Sequence, residues 1–385
     1  MAMKTLKVAM VGCGQIADAH LEELRHVPCA ELVAVCDRHL DLARQAAARF
    51  EAPACYDNLE RMLAESKPDV VHVTTPPQTH AALALQAMEA GAHVYVEKPF
   101  TTDAAEARSL LHAAEARSRL ICVGHDQLFD PVWERVRGLV RSGDLGQVIH
   151  IDSVQGYDLN GRFGRLLATD PNHWMLRLPG GLFQNTVPHA LYRITDFLTG
   201  QCPQVWATWF RDSRERNFPT ELRAFLRGDQ VTGHLLFSSC ARPVQRFVRI
   251  YGSRKSIDVD LDAQVIRHYQ GPRLPGALAK IEVPFRQLRD SARSFGRNLW
   301  KFFRCDLHYF AGMRRLFTTF YQAILADGLP PIPYEEIYRV TAIMDEIFRV
   351  CDTEVAPGGS FKEVASSPAF SNTRERNSLF FQKGR

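Results

Sequence analysis

A short apolar run, Leu6 to Val11, closes on Gly12-Cys13-Gly14-Gln15-Ile16-Ala17, and a helical pattern follows to about Arg25. A second apolar run, Glu31 to Cys36, ends at Asp37. The order is strand, glycine turn, helix, strand, acid. Gly12 permits the tight turn, Gly14 lets the backbone approach a pyrophosphate, and Ala17 is small enough for the helix to pack on the strand. Phosphates then sit on the free N–H groups of the helix N-terminus, beside Gln15 and Ile16. Asp37, 20 residues beyond Ala17, is placed to accept hydrogen bonds from the adenosine ribose. Its charge repels a 2′-phosphate and so points to NAD. The neighbouring Arg38 can pair with that phosphate or stack on adenine, which leaves NADP open.

The alternation continues along the chain. Ala43 to Phe50 and Leu59 to Ala64 read as helices, Val70 to Thr74 as a buried strand, and Thr75-Pro76-Pro77 as a break. His80 to Ala90 is helical, His93 to Val96 a strand, Asp103 caps a helix to about Ala116, and Leu120 to Val123 is a further strand. Such alternation implies an α/β domain, a doubly wound parallel Rossmann sheet over about residues 1–126. Ligands on these sheets bind at the carboxyl ends of the strands, where Gly12, Asp37, Thr75 and Lys98 all fall. At that edge an ammonium on Lys98 can hold a substrate hydroxyl and stabilise the alkoxide-like charge that develops as hydride leaves.

Three ordered motifs make the likeness specific: Gly12-Cys13-Gly14-Gln15-Ile16-Ala17, Thr75-Pro76-Pro77-Gln78-Thr79-His80 and Glu97-Lys98-Pro99. Together they resemble the glucose–fructose oxidoreductase / inositol dehydrogenase (Gfo/Idh/MocA) family. The resemblance implies a second, α+β domain with an open, mostly antiparallel sheet. It also implies hydride transfer to or from a hydroxyl carbon of a sugar, sugar nucleotide or cyclitol. It places Thr75, Pro76, His80, Glu97 and Lys98 around the cofactor and gives Lys98 the family's catalytic lysine. The family's second motif, two glycines followed by an aspartate and a histidine four residues on, falls on Gly180-Gly181 with Asn185 and His189. His189 carries over as the acid/base. Asn185 departs from the family's aspartate, because an amide cannot stabilise an imidazolium by charge. The loop Asp170 to Arg177 lines the substrate pocket in the family, which makes His173, Trp174 and Arg177 candidates for a proton relay, a sugar-stacking face and an anion contact.

Val148 to Gln155, Gln204 to Phe210, Glu221 to Leu226, Thr232 to Ser238 and Phe247 to Tyr251 read as strands of an antiparallel meander within residues 127–355. Beyond Pro284 the texture changes. Arg286, Arg289, Arg293, Arg297, Lys301 and Arg304 recur every three or four residues, opposite Leu288, Ala292, Phe295, Leu299, Phe302 and Phe303. This basic amphipathic insertion, residues 284–305, suits an interfacial helix whose stretch 286–304 touches anionic lipid. The plainer expectation is that the apolar face packs on the domain or a partner subunit and leaves the arginines in water. Helices are also expected over His308 to Leu325 and Tyr334 to Cys351, and a disordered tail over 356–385.

The 385 residues suffice for two cores, and 46% hydrophobic with 23% charged residues is ordinary for a globular chain. A net charge of +4 gives no case for nucleic acid. No stretch approaches the ~20 apolar residues of a membrane span. The strand-like start leaves no room for a signal peptide, and nine cysteines without a Cys-x-x-Cys pair suggest reduced thiols in the cytoplasm and no metal site. Three functions remain: a dehydrogenase on a polyhydroxyl substrate, a hydride-recycling epimerase or lyase with tightly held NAD, and a non-catalytic NAD-responsive regulator. Homo-oligomers are the family-based expectation.

Overall fold

Six parallel strands carry the first third of the chain: β1 (Leu6–Val11), β2 (Ala30–Cys36), β3 (Cys55–Tyr56), β4 (Val70–Val73), β5 (His93–Val96) and β6 (Ile121–Val123). Their spatial order is β3-β2-β1-β4-β5-β6. Helices α1 (Gln15–Leu24), α2 (Leu40–Phe50), α3 (Leu59–Ser66), α4 (His80–Glu89) and α5 (Ala104–Ala116) connect them. Strand β4 is buried at all four residues, so its sequence reads as a continuous apolar run interrupted by one histidine, His72. The strand order reverses between β1 and β4, and the crevice of a doubly wound sheet opens at that switch point. The computed structural model describes residues 4–161, 164–170, 172–200, 203–211, 218–304 and 308–355. Pro171 of the pocket loop and the tail expected over 356–385 lie outside the described residues.

Helix α6 (Pro131–Arg141) leads into a second sheet. It comprises β7 (Val148–Gly156), β8 (Gln204–Phe210), β9 (Glu221–Arg227), β10 (Thr232–Ser238), β11 (Arg246–Gly252), β12 (Ser256–Asp260) and β13 (Val265–Tyr269). Between β7 and β8 come three short helices, α7 (Arg165–Thr169), α8 (Gly181–Thr186) and α9 (Pro188–Thr195). The order is β13-β12-β11-β7-β10-β9-β8. The sheet is not a pure meander. β10 pairs parallel to β7, with Thr232 opposite His150, while the other neighbours are antiparallel. A parallel pair needs a long crossover, and the chain between β7 and β10 supplies one.

Among the described residues three helices follow the second sheet: α10 (Ala279–Phe303), α11 (Ala311–Leu325) and α12 (Tyr334–Val355). α11 begins three residues later than expected and returns to the first sheet, where Phe317 packs edge-on against Tyr95 at 4.9 Å and His72 at 4.8 Å. α12 is tied to the first domain as well: Asp345 Oδ2 accepts from Ala104 N at 2.7 Å and Tyr334 Oη from Ile121 N at 3.1 Å.

Helix α10 corrects the expectation of internal packing, because it lies inside out. Its buried residues are polar: Asp290 is 5% exposed and Ser294 1%. The apolar stripe faces away from the body, with Phe285 65% and Phe303 73% exposed. On the body side Asp290 accepts from the main chain of His268 at 3.0 Å, and Asn298 donates to Ala263 O at 2.8 Å. Nor do all the cations stand in water: Arg286, Arg297 and Lys301 are half-buried, while Arg289, Arg293 and Arg304 are exposed.

Candidate active site

Gly12 has φ +95°, a left-handed conformation that favours glycine, and a Cβ there would meet Thr75 Cγ2 at 2.7 Å and the Thr74 carbonyl carbon at 2.8 Å. The two loops flanking the switch point therefore touch at Gly12. Thr74 Oγ1 reinforces the contact by donating to Gly12 O at 2.6 Å. Above Gly14 the space is open, and no side chain caps the first turn of α1. An uncapped helix start under an open glycine is a cradle for a pyrophosphate, so the residues fit a dinucleotide.

Asp37 does more than face the crevice. Its Oδ2 accepts from Cys13 N at 2.8 Å and its Oδ1 from His39 N at 2.9 Å, which braces the glycine loop from below. Each oxygen keeps a second lone pair for a ribose hydroxyl. Arg38 donates to His39 Nε2 at 3.1 Å at the exposed rim.

His80 and Glu97, both expected against the cofactor, are buried beneath the strand-end turns. His80 is fully buried, with Nδ1 3.0 Å from Pro99 O and Nε2 2.8 Å from Thr75 O. It staples the Thr75 turn to the lysine turn. Glu97 is buried too: Oε2 accepts from Lys98 N at 3.0 Å, and Oε1 lies 2.8 Å from His20 Nε2. Burial alone would raise the Glu97 carboxyl, but the bond from His20 and the nearby Lys98 charge hold it below the usual range. Behind it, His20 Nδ1 meets His72 Nδ1 at 3.1 Å and His72 Nε2 meets Tyr321 Oη at 2.7 Å. One proton arrangement satisfies the whole chain with both rings neutral: Tyr321 donates to His72, His72 to His20, and His20 to Glu97. Sequence reading missed this chain, because His20, His72 and Tyr321 come from three distant segments.

At the carboxyl end of β5 the half-buried Lys98 Nζ donates to Asn185 O at 3.2 Å and Asn185 Oδ1 at 3.3 Å. Gln184 locks the two motifs together, donating to Thr102 O at 2.6 Å while its Oε1 accepts from Gly180 N at 3.0 Å. Gly180 has to be glycine, since a Cβ would lie 2.2 Å from the Phe348 ring. His189 stands one turn beyond Asn185, and its Nδ1 is 2.8 Å from Tyr192 Oη. Burial first, then the charges of Lys98, Arg193 and Arg246, push the His189 imidazole well below its ordinary range. The ring is therefore neutral near pH 7, and its charged neighbours are cations.

Asp126, just past β6, was not singled out from sequence. Burial and the Glu97 charge raise its carboxyl to about 7 against the opposing pull of Lys98, and its Oδ1 has no hydrogen-bond partner. The pocket loop meets the Thr75 turn, with Gln78 Nε2 donating to Trp174 O at 3.2 Å. His173 caps its own turn by accepting from Met175 N at 3.3 Å, Trp174 is half-buried beside it, and Arg177 is exposed.

The glycine cradle, the switch point and the lysine at the strand ends define a Rossmann-type dinucleotide-binding protein with a second sheet domain. Residues 6–125 match the family model described as the oxidoreductase family with an NAD-binding Rossmann fold, and 133–258 match the GFO/IDH/MocA C-terminal domain. The chain belongs to the Gfo/Idh/MocA oxidoreductase family, and NAD is the cofactor its first domain is built to bind. It is 34% identical to D-glucoside 3-dehydrogenase of Escherichia coli over 149 residues, 38% of this chain and 42% of that protein. The chain thus spans less than half the length of the curated relatives it matches. Its fold is similar to UDP-N-acetylglucosamine 3-dehydrogenase GnnA of Acidithiobacillus ferrooxidans, with TM-score 0.70 and 21% identity over 91% of this chain and 99% of that one. It is also similar to the WlbA dehydrogenase of Bordetella pertussis in complex with NADH and UDP-GlcNAcA, with TM-score 0.72 and 19% identity over 92% and 98%.

Proposed function

We propose that this protein is an NAD-dependent oxidoreductase that moves hydride to or from a hydroxyl-bearing carbon of a sugar, sugar nucleotide or cyclitol. The observation that carries the reading is the meeting of Lys98 from the first domain with Asn185 from the second, one helical turn from His189. The relatives named as glucoside, inositol and UDP-N-acetylglucosamine dehydrogenases support the substrate class. Bound NAD supplies the hydride acceptor. Gly12, Gly14 and the amides of Gln15 and Ile16 would hold its pyrophosphate and Asp37 its ribose, with Thr75 and Pro76 lining the same crevice. Lys98 releases Asn185 Oδ1 and donates to the substrate hydroxyl, which stabilises the negative charge that grows on that oxygen. His189, already neutral, takes the hydroxyl proton on Nε2 while Tyr192 holds Nδ1. Trp174 and His173 face the sugar, and Arg177 meets an anionic substituent at the rim.

One observation favours the hydride-recycling variant of this chemistry. Among the described residues no carboxylate hydrogen-bonds His189, whose Nδ1 meets Tyr192 Oη, so an imidazolium formed there sheds its proton quickly and suits a cycle in which the substrate is oxidised and then reduced in place. The open face of the second sheet carries Trp206 and Phe225 as an exposed cross-strand pair, which supports a homo-oligomer. The discriminating experiment is purification with analysis of bound nucleotide, followed by a panel of sugars and sugar nucleotides with absorbance read at the NADH band. Copurified NAD that sugars reduce without added cofactor is the recycling outcome, and turnover that needs free NAD is the ordinary dehydrogenase. A protein that binds NAD yet reduces none with any of the panel would overturn the enzymatic reading.

A further inference from the structure

Helix α10 buries its polar side and shows its apolar side to solvent, the reverse of what a helix packed on its own domain does. Ile281, Phe285, Leu288, Phe295, Phe302 and Phe303 are all exposed large apolar side chains. Their spacings of four, three, seven and seven residues, with Phe303 beside Phe302, place them on one stripe. At about 1.5 Å per residue the stripe runs for more than 30 Å, a larger apolar surface than a water-facing helix retains without a partner. The helix lies beyond both segments that match the family, 6–125 and 133–258.

Charge identifies what covers it. Residues 279–304 hold seven cations and two carboxylates. Neither carboxylate is available to an approaching surface. Asp290 is buried against His268, and Glu282 accepts from Arg273 N and Leu274 N and pairs with Arg286. The exposed charges that border the stripe are Lys280 on one flank and Arg289 and Arg293 on the other. Trp300 is exposed at the same border, with the Arg304 guanidinium over its ring at 5.6 Å. A second copy meeting this face about a two-fold axis would set the cations of one α10 against those of the other, with neither carboxylate of the helix available to answer them. An anionic surface with an apolar layer beneath it answers both the stripe and its borders.

We propose that α10 is a peripheral membrane-docking helix, which lies flat on an anionic bilayer with Phe285, Leu288, Phe295 and Phe303 among the acyl chains and Arg289 and Arg293 at the headgroups. No helix among the described residues is long and apolar enough to cross a membrane, so the contact is with the surface. The long basic side chains reach up to the phosphates while their methylenes stay in the apolar layer, the arrangement of interfacial helices elsewhere. The docking does not depend on the oxidoreductase reading.

The test is cosedimentation of the full chain with vesicles of pure phosphatidylcholine and of phosphatidylcholine with one third phosphatidylglycerol, at low and high salt. NADH binding, read by fluorescence, serves as the check on folding, because α10 is far in sequence from the glycine loop. We expect binding to the anionic vesicles only, weakened at least tenfold by high salt and by Arg289→Gln with Arg293→Gln. Leu288→Glu with Phe295→Glu should abolish it while NADH binding stays intact. Trp300 emission should shift to the blue on anionic vesicles and be quenched by brominated acyl chains, a signal that Trp300→Phe removes. Wild-type protein that ignores anionic vesicles overturns the proposal, as does a dimer that the Leu288→Glu, Phe295→Glu variant dissociates, since the stripe is then an interface between copies.

Discussion

Lys98 Nζ lies 3.3 Å from Asn185 Oδ1, and this contact of an ammonium with an uncharged amide stands where the family's aspartate would have formed an ion pair. The ammonium keeps its full charge for the substrate oxygen, and the cost falls on His189. That ring has Lys98, Arg193 and Arg246 around it and a tyrosine hydroxyl on Nδ1. In this site lysine supplies the electrostatics, and the histidine is a base that is neutral before it takes the proton.

Replacement of Lys98 by alanine should therefore reduce turnover by about 10²–10⁴, the range for loss of a positioned charge at a developing oxyanion. NADH affinity should change by less than about threefold, since the cradle is made by Gly12, Gly14 and α1. Steady-state rates with the substrate found in the sugar panel, beside a fluorescence titration of NADH, check both halves. Unchanged turnover would remove Lys98 from the mechanism.

Asn185→Asp restores a carboxylate one turn from His189. An anion there favours the imidazolium, so the His189 pKa rises from well below its ordinary value of about 6.5. The acidic limb of the kcat/KM profile should move to higher pH, because the base becomes protonated at higher pH than in the wild type. A carboxylate also forms an ion pair with Lys98 in the free enzyme, so KM should rise. A profile whose acidic limb stays in place would show that His189 is not the titrating base.

The sequence displayed the cofactor half of the site and hid its supports. Gly12, Gly14, Asp37 and Lys98 fall at strand ends, where strand–turn–helix periodicity marks their position without knowledge of any contact. The chain Glu97–His20–His72–Tyr321 could not be read that way, since it joins α1, β4, β5 and α11 across 301 positions from His20 to Tyr321. His72 looked like a polar interruption in an apolar strand, and that was the one available signal. Strands β12 and β13 went unread. The amphipathic pattern of α10 was legible, but periodicity fixes which residues share a face and says nothing of which face meets the body.

Asp37 should set the choice of cofactor through charge. Wild-type protein should bind NAD more tightly than NADP by at least tenfold, because a 2′-phosphate would stand against a carboxylate. Asp37→Ala should narrow that gap. It should also weaken binding of both cofactors, since Cys13 N and His39 N lose the acceptor that braces the glycine loop. Isothermal titration of both nucleotides against both proteins measures this. NADP binding as tight as NAD in the wild type would refute the assignment.

The pH dependence of stability should show two opposed contributions, and Asp126 separates them. Burial lowers His125 to about 3 and His93 to about 4, and pushes His72 well below its ordinary value. The unfolded chain protonates these rings below about pH 6.5 while the folded chain does not, so their contribution to stability is present above that pH and is lost as pH falls towards 4. Asp126 has the opposite sign. Its folded value of about 7 lies above its ordinary 3.8, so the folded chain holds a proton that the unfolded chain has released. Its penalty is absent below about pH 4, grows as pH rises, and is complete above 7. Several histidines outweigh one aspartate, so wild-type Tm should fall steadily from pH 7 to pH 5. Asp126→Asn imitates the protonated carboxyl and removes only the second contribution. Its Tm should exceed that of the wild type by a few degrees at pH 8, with the difference gone by about pH 4.5. Scanning calorimetry of both proteins across that range is the measurement. A difference that does not vary with pH, or that grows towards acid, would show that Asp126 is ionised in the folded protein and draws on partners other than those in its present surroundings.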